Sequence, residues 1–190
     1  MTIGIVINGG EGPWSSGVVQ SPYFLYNALR LGGFNCVFIT VKGAPFFLGK
    51  KYRFLTLENA LSSAAFCCDR LLLTTSIGYV ELSELLSRSP KCKCIYVNYQ
   101  NKLTNSSASI LQNSYAGGGA VAPDLHFLFN EIWIPPHHEY QIQYIETLFS
   151  NNNIKVSPYL WDSSFIHKAL KADQKKKIFY SPEGRPPLNN

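Results

Sequence analysis

A cluster of glycines and polar residues follows the first apolar run of the chain, residues 3–7, and surrounds an aromatic ring. Its members are Gly9, Gly10, Gly12, Trp14, Ser15, Ser16, Gly17 and Gln20. Glycines let a backbone approach a ligand, and a helix that begins after them presents free N–H groups to an anion. The spacing is not GxGxxG, so evidence for a dinucleotide is weak, and a tight turn without a ligand explains the glycines equally well. The indole of Trp14 favours a ligand, because it offers a flat platform for a sugar or a base.

Two further loops carry residues that suit substrate binding. Tyr99 and Gln100 follow the apolar run 94–98 and are candidates to hydrogen-bond hydroxyl groups, although ordinary loop polarity explains them as well. Gly118 is the centre of a glycine triplet in the long connection 98–130, which also holds Asp124. Loops of that length in compact domains are commonly functional. The carboxylate of Asp124 is a candidate general base, with a solvated surface carboxylate as the alternative.

Two adjacent histidines follow the apolar run 131–134 and the prolines after it. His137 is the second candidate base, because an imidazole titrates near neutral pH; a helix cap with one exposed histidine is the alternative for the pair. His137 and His138 are adjacent rather than four residues apart, so they do not resemble helix-borne metal ligands. Zinc-ligand spacing and a D-x-D motif are both missing from the sequence, and we therefore expect no metal.

The bulk composition excludes several classes of protein. The chain has 190 residues, of which 46% are hydrophobic and 15% charged, and this rules out a disordered chain. The net charge of +5 comes largely from lysines near the carboxy-terminal end, without the interleaved aromatic residues of a nucleic-acid interface. Neither a signal peptide nor an apolar run of about 20 residues is visible. We expect a cytoplasmic protein, without a transmembrane segment, whose five cysteines are buried free thiols.

The elements that position these residues alternate along the chain. Strands are predicted at residues 3–7, 34–41, 71–75, 94–98, 131–134 and 154–159, and helices at 21–31, 57–68, 80–86, 107–113, 138–149 and 162–170. Nearly continuous apolar strands are typical of a parallel sheet covered on both faces. The pattern predicts a Rossmann-like, doubly wound α/β domain over residues 1–180, with a mostly parallel sheet of about six strands. Residues 181–190 are predicted to be a proline-rich linker towards a second domain, with a frayed chain end as the alternative.

Several segments together resemble one family. They are Trp14–Gly17 with Gln20, the triplet 117–119, the run 131–135 leading into His137 and His138, and the run 156–161. In order and spacing these segments are similar to glycosyltransferase-like proteins of the GT-B class, known from bacteria, phages and large viruses. The resemblance covers residues 3–165.

The resemblance implies that two domains bind the two substrates of the enzyme. GT-B enzymes have two Rossmann-like domains; the amino-terminal one holds a glycan or other hydroxyl acceptor, and the carboxy-terminal one holds most of the nucleotide-sugar donor. This chain matches only the first domain, so we expect it to be unable to transfer sugar alone. Trp14, Ser15, Ser16 and Gln20 would line the acceptor side, with His137 or Asp124 as base. No tightly bound cofactor is implied. A face left uncovered by the missing carboxy-terminal domain would favour self-association.

The residues alone leave one other function open and argue against a third. A stand-alone flavodoxin-like or nucleotide-binding module without transfer activity would use the same glycine-rich segment for a phosphate compound. A dehydrogenase needs an acidic residue after the second strand to bind the ribose, and residues 40–42 (Thr-Val-Lys) offer none.

Overall fold

The chain folds around one parallel sheet. The computed structural model describes residues 1–10, 17–43, 51–98, 127–148 and 153–160. Its strands are β1 (Thr2–Ile7), β2 (Asn35–Thr40), β3 (Phe54–Thr56), β4 (Arg70–Leu73), β5 (Lys93–Val97), β6 (Glu131–Ile134) and β7 (Asn153–Val156). They form a seven-stranded sheet in the order β3-β2-β1-β4-β5-β6-β7, and every adjacent pair is parallel. The predicted Rossmann-like α/β fold is confirmed, with one strand more than expected.

The helices cover both faces of this sheet. They are α1 (Gly17–Leu31), α2 (Leu57–Ser62), α3 (Tyr79–Arg88), a 3₁₀ helix (Pro136–Gln141) and α4 (Ile142–Leu148). Helix α1 packs against one face, in a core that includes Ile5 of β1, whereas α2, α3 and α4 pack against the other face, in a core that includes Val6. Successive residues of a strand point to opposite faces, so fully apolar strands are what a sheet buried on both sides requires.

Helix α1 begins earlier than predicted. The prediction placed its start near Ser21, with Pro22 in the first helical position, but the helix begins at Gly17 and contains Pro22. An internal proline removes one backbone hydrogen bond. The four residues that follow it, Tyr23–Tyr26, are all buried. Their burial stabilises the helix by more than the missing hydrogen bond costs, since one large apolar side chain contributes about 1.5–3 kcal/mol.

Two other predicted helices differ in extent or type. The helix predicted over 57–68 ends at Ser62, because Ser63 adopts an extended backbone, so Cys67 and Cys68 lie in a turn segment and not on a helix. The helix predicted over 138–149 divides into the 3₁₀ helix and α4. The short strand β3, absent from the prediction, sits at the sheet edge beside β2. The helices predicted at 107–113 and 162–170 lie outside the described residues.

The position of strand β3 distinguishes between the two common strand orders of doubly wound sheets. With β3 outside β2, the order follows the Rossmann pattern 3-2-1-4-5-6 and not the flavodoxin pattern 2-1-3-4-5. Of the helices in the described ranges, none is long and apolar enough to cross a membrane.

Candidate functional site

A cavity of about 130 Å³ opens at the carboxyl edge of the sheet. Its walls come from the first turns of α1, from the ends of β5 and β6, and from the segment after β7. The lining residues are Gln20, Ser21, Phe24, Val97, Asn98, Trp133, Pro135, Ser157, Pro158, Tyr159 and Leu160. Ligands of open α/β sheets bind outside the carboxyl ends of the strands, so this cavity lies where the fold places its sites.

Backbone hydrogen bonds continue the sheet beyond the strand ends and fix the cavity walls. The Asn98 N–H donates to the Trp133 carbonyl at 2.8 Å, and the Ser157 N–H donates to the Ile134 carbonyl at 2.7 Å. Val97 and Trp133 are also register partners on β5 and β6. These bonds keep the residues that follow β5, β6 and β7 side by side at the carboxyl edge of the sheet.

The cavity wall combines aromatic rings with neutral polar groups. Phe24, Trp133 and Tyr159 supply the rings, while Gln20 and Asn98 supply amides. Among the residues that the structure describes, none that lines the cavity carries a formal charge. Such a wall suits a neutral ligand with flat apolar faces and hydroxyl groups, because rings cover the faces while amides and hydroxyls pair with the polar edges.

His137 lies beside the cavity and is linked to its rim. Its Nδ1 is hydrogen-bonded to the Tyr159 hydroxyl, and the two rings are parallel, with centroids 5.7 Å apart. The His137 side chain is exposed. This agrees with the alternative explanation of the pair, a helix cap in which one histidine is exposed. The neighbouring His138 is 4% exposed, and its ring centroid lies 4.1 Å from that of His137. Burial, and then the nearby His137, hold the pKa of His138 below its usual value.

Trp133 is hydrogen-bonded to Glu131, which also forms an ion pair with Lys155. The Trp133 indole N–H donates to Glu131 Oε2 at 2.9 Å, and the same oxygen lies 3.1 Å from Lys155 Nζ on β7. Burial by itself would raise the pKa of Glu131, but the Trp133 hydrogen bond and the Lys155 ammonium group outweigh it and lower the pKa. Glu131 therefore joins β6 to β7 and orients the indole that lines the cavity.

The first predicted glycines have a packing role. Gly9 and Gly10 follow β1 with φ angles of +75° and +78°. A Cβ on Gly9 would lie 2.4 Å from the Gly43 carbonyl oxygen and 2.8 Å from that of Lys42. The segments after β1 and β2 thus approach each other so closely that only glycine fits at position 9. This contact supports the tight-turn explanation for Gly9.

The structure brings only part of the predicted site together. Gln20 lines the cavity, His137 lies at its rim, and Gly17 begins α1. Gly9 and Gly10 follow β1 and are not among the lining residues. The remaining predicted residues lie outside the described residues; they are Gly12, Trp14, Ser15, Ser16, Tyr99, Gln100, Gly118 and Asp124.

Gln20 is the only described lining residue that was predicted as a site residue, and Asn98, Trp133 and Tyr159 are among those that were missed. Asn98 was assigned to the end of a strand, but a polar residue that closes an apolar run at the carboxyl edge is itself a signal. Trp133 and Tyr159 entered the prediction only through the family resemblance. Trp133 sits inside a strand, where its side chain reads as core, and its place in the wall depends on how β6 lies beside β5.

The described residues contain no group of three or more histidine, cysteine, aspartate or glutamate side chains that would hold a metal ion. Comparisons of the chain with protein-family models, with curated proteins and with solved structures find no match.

Proposed function

We propose that this chain is the acceptor-side domain of a GT-B-type glycosyltransferase and that the cavity at the carboxyl edge binds a neutral glycan. The observation that carries the proposal is that the described lining residues are aromatic rings and neutral polar groups, at the place where Rossmann-like sheets bind ligands. A glycan matches it, because a pyranose ring has an apolar face for an aromatic ring and hydroxyls for amide groups.

Each part of the wall has a role in the proposal. Trp133 and Tyr159 provide ring surfaces for the sugar faces, and Gln20 and Ser157 pair with hydroxyl groups. His137 is the candidate base, because its imidazole lies at the rim of the cavity through its bond to Tyr159. Asp124 remains the second candidate base.

The same wall supports the expectation that the chain does not transfer sugar alone. A nucleotide-sugar donor carries two phosphates, and lysine, arginine or helix N–H groups normally neutralise such charge. The described part of the cavity lining contains no lysine or arginine. In the proposal, a second Rossmann-like domain therefore holds the nucleotide sugar and completes the active site. No metal and no tightly bound cofactor are part of the proposal.

A panel of immobilised neutral oligosaccharides, probed with the purified chain, tests the proposal. We expect selective binding that Gln20→Ala weakens, because the substitution removes one amide from the wall. Gln143→Ala is the matched control, since Gln143 is an exposed glutamine on α4 outside the cavity. Absence of selective binding, or equal losses in the two variants, would refute the acceptor assignment.

A further inference from the structure

Two thiols meet at the amino edge of the sheet, opposite the cavity. Cys68 lies just before β4 and Cys92 just before β5, and their sulfur atoms are 3.5 Å apart. All five cysteines of the chain are free thiols. Because β4 and β5 pair with Arg70 beside Lys93, the residues that precede the two strands are neighbours as well.

Buried Ser89 holds both cysteine segments in place. Its hydroxyl oxygen accepts the Cys68 N–H at 3.2 Å, and its carbonyl oxygen accepts the Cys92 N–H at 2.7 Å. Ser89 is 7% exposed, so these bonds are shielded from water. Ser89 therefore ties together the backbone segments that carry the two sulfur atoms.

We propose that Cys68 and Cys92 form an oxidisable dithiol, a modification site that closes an intramolecular disulfide when the protein meets a peroxide. Closure requires the sulfur atoms to approach from 3.5 Å to about 2.05 Å. Cys92 is only partly buried and is open to a small oxidant, whereas Cys68 is 8% exposed.

The chemistry assigns different roles to the two sulfurs. The Cys92 thiol loses its proton, the thiolate attacks one peroxide oxygen and the O–O bond breaks, so Cys92 becomes a sulfenic acid and the leaving hydroxide takes up the proton as the first water. Cys68 then loses its proton and attacks the Cys92 sulfur, so the S–O bond breaks and the second water leaves. Two thiols are oxidised and one peroxide is reduced. Contact with Cys92, and then burial, raise the pKa of the Cys68 thiol, so Cys68 is the poorer nucleophile towards peroxide and Cys92 reacts first.

The disulfide would enclose β4 and α3 and tie the amino ends of β4 and β5. Cross-links of this kind stabilise a fold mainly by restricting the unfolded chain. Since the pair lies at the edge opposite the cavity, we expect the oxidised protein to keep its carboxyl-edge geometry and to melt at a higher temperature.

Peroxide treatment, followed by alkylation of the remaining thiols and non-reducing peptide mapping, tests the proposal. We expect the peptide containing Cys92 to be linked to the peptide 54–70, with two thiols lost per chain and recovered by dithiothreitol. Trypsin leaves Cys67 and Cys68 in that same peptide, so the assignment needs variants. Cys67→Ser, which changes the exposed neighbour, should retain the link, whereas Cys68→Ser and Cys92→Ser should abolish it.

Three results would overturn the proposal. One is a cross-link that disappears in Cys67→Ser. Another is cross-linking only between chains, and the third is further oxidation of Cys92 without any intramolecular link. Both of the last two are read on the unsubstituted protein, links between chains from its mass on a non-reducing gel and further oxidation of Cys92 from the peptide map, so a variant that fails to fold does not prevent the test.

Discussion

The His137 imidazole is hydrogen-bonded to the Tyr159 hydroxyl, and the two rings are parallel, with an angle of 2° between their planes. His137 belongs to the 3₁₀ helix after β6, and Tyr159 belongs to the segment after β7. One bond therefore joins the loops of two adjacent strands at the rim of the cavity. It also places the candidate base next to a ring that the proposal assigns to sugar stacking.

The stability of the fold should depend on the charge of His138. Its pKa is lowered from 6.5, first by burial and then by His137, so the unfolded chain takes up a proton at a higher pH than the folded chain does. Neutral His138 makes its full contribution to the free energy of unfolding above pH 6.5, and this contribution is lost as the pH falls towards the lowered pKa. Urea unfolding at a series of pH values should show this loss, and His138→Gln should reduce it.

His137→Gln is the control for that series, because it changes the neighbouring histidine, which is exposed and not buried. It should leave most of the pH dependence in place. An identical pH dependence in the unsubstituted protein and in His138→Gln would contradict the assignment to His138.

Glu131 should stabilise the protein through its charge. Glu131→Gln keeps the size of the side chain but removes the negative charge that pairs with Lys155 and accepts the Trp133 hydrogen bond. We therefore expect the free energy of unfolding to fall by about 1–2 kcal/mol near neutral pH. The pKa of Glu131 is lowered, so this stabilisation is present above the ordinary value of 4.5 and is lost as the pH falls through the lowered pKa. Denaturant unfolding at neutral and at acidic pH measures both effects. A Glu131→Gln penalty that does not change with pH would contradict the charge-based account.

Gly9 and Gly10 provide a matched pair that separates packing from backbone strain. Both have positive φ angles, so alanine at either position should cost about 1–2 kcal/mol. At Gly9 the added Cβ also collides with the Gly43 and Lys42 carbonyls, whereas at Gly10 the nearest atom is 3.8 Å away. Gly9→Ala should therefore cost about 1–3 kcal/mol more than Gly10→Ala. Equal losses in denaturant unfolding would show that the close approach is not what requires Gly9.

The sheet was predictable from sequence because its strands are continuous apolar runs. The strand Glu131–Ile134 was predicted with its bounds correct. Strand β3 was not predictable in the same way, since it has three residues and depends on pairing with β2 rather than on its own pattern. The start of α1 was predicted too late because tertiary burial overrides the local effect of Pro22.

The candidate site was less predictable, because it is assembled from residues distant in sequence. Gln20 and His137 were identified from local patterns of polar residues near glycines and strand ends. Trp133 was not assigned to a site, since only the alignment of β6 with β5 brings it to the cavity beside Val97. The thiols show the same limit: all five cysteines were expected to be buried, but Cys67 is exposed, and the contact of Cys68 with Cys92 depends on the β4–β5 register.

The central claim is that the carboxyl-edge cavity binds a glycan acceptor. Titration calorimetry should compare the chain with neutral oligosaccharides selected from the panel and with a nucleoside diphosphate. We expect glycan binding that Tyr159→Ala weakens about tenfold, equivalent to about 1.4 kcal/mol, while Tyr140→Ala leaves it unchanged. Tyr140 is a fair control because it is 79% exposed, lies outside the cavity and belongs to the same 3₁₀ helix as His137. Tight nucleoside diphosphate binding without glycan binding, or equal effects of the two substitutions, would contradict the account.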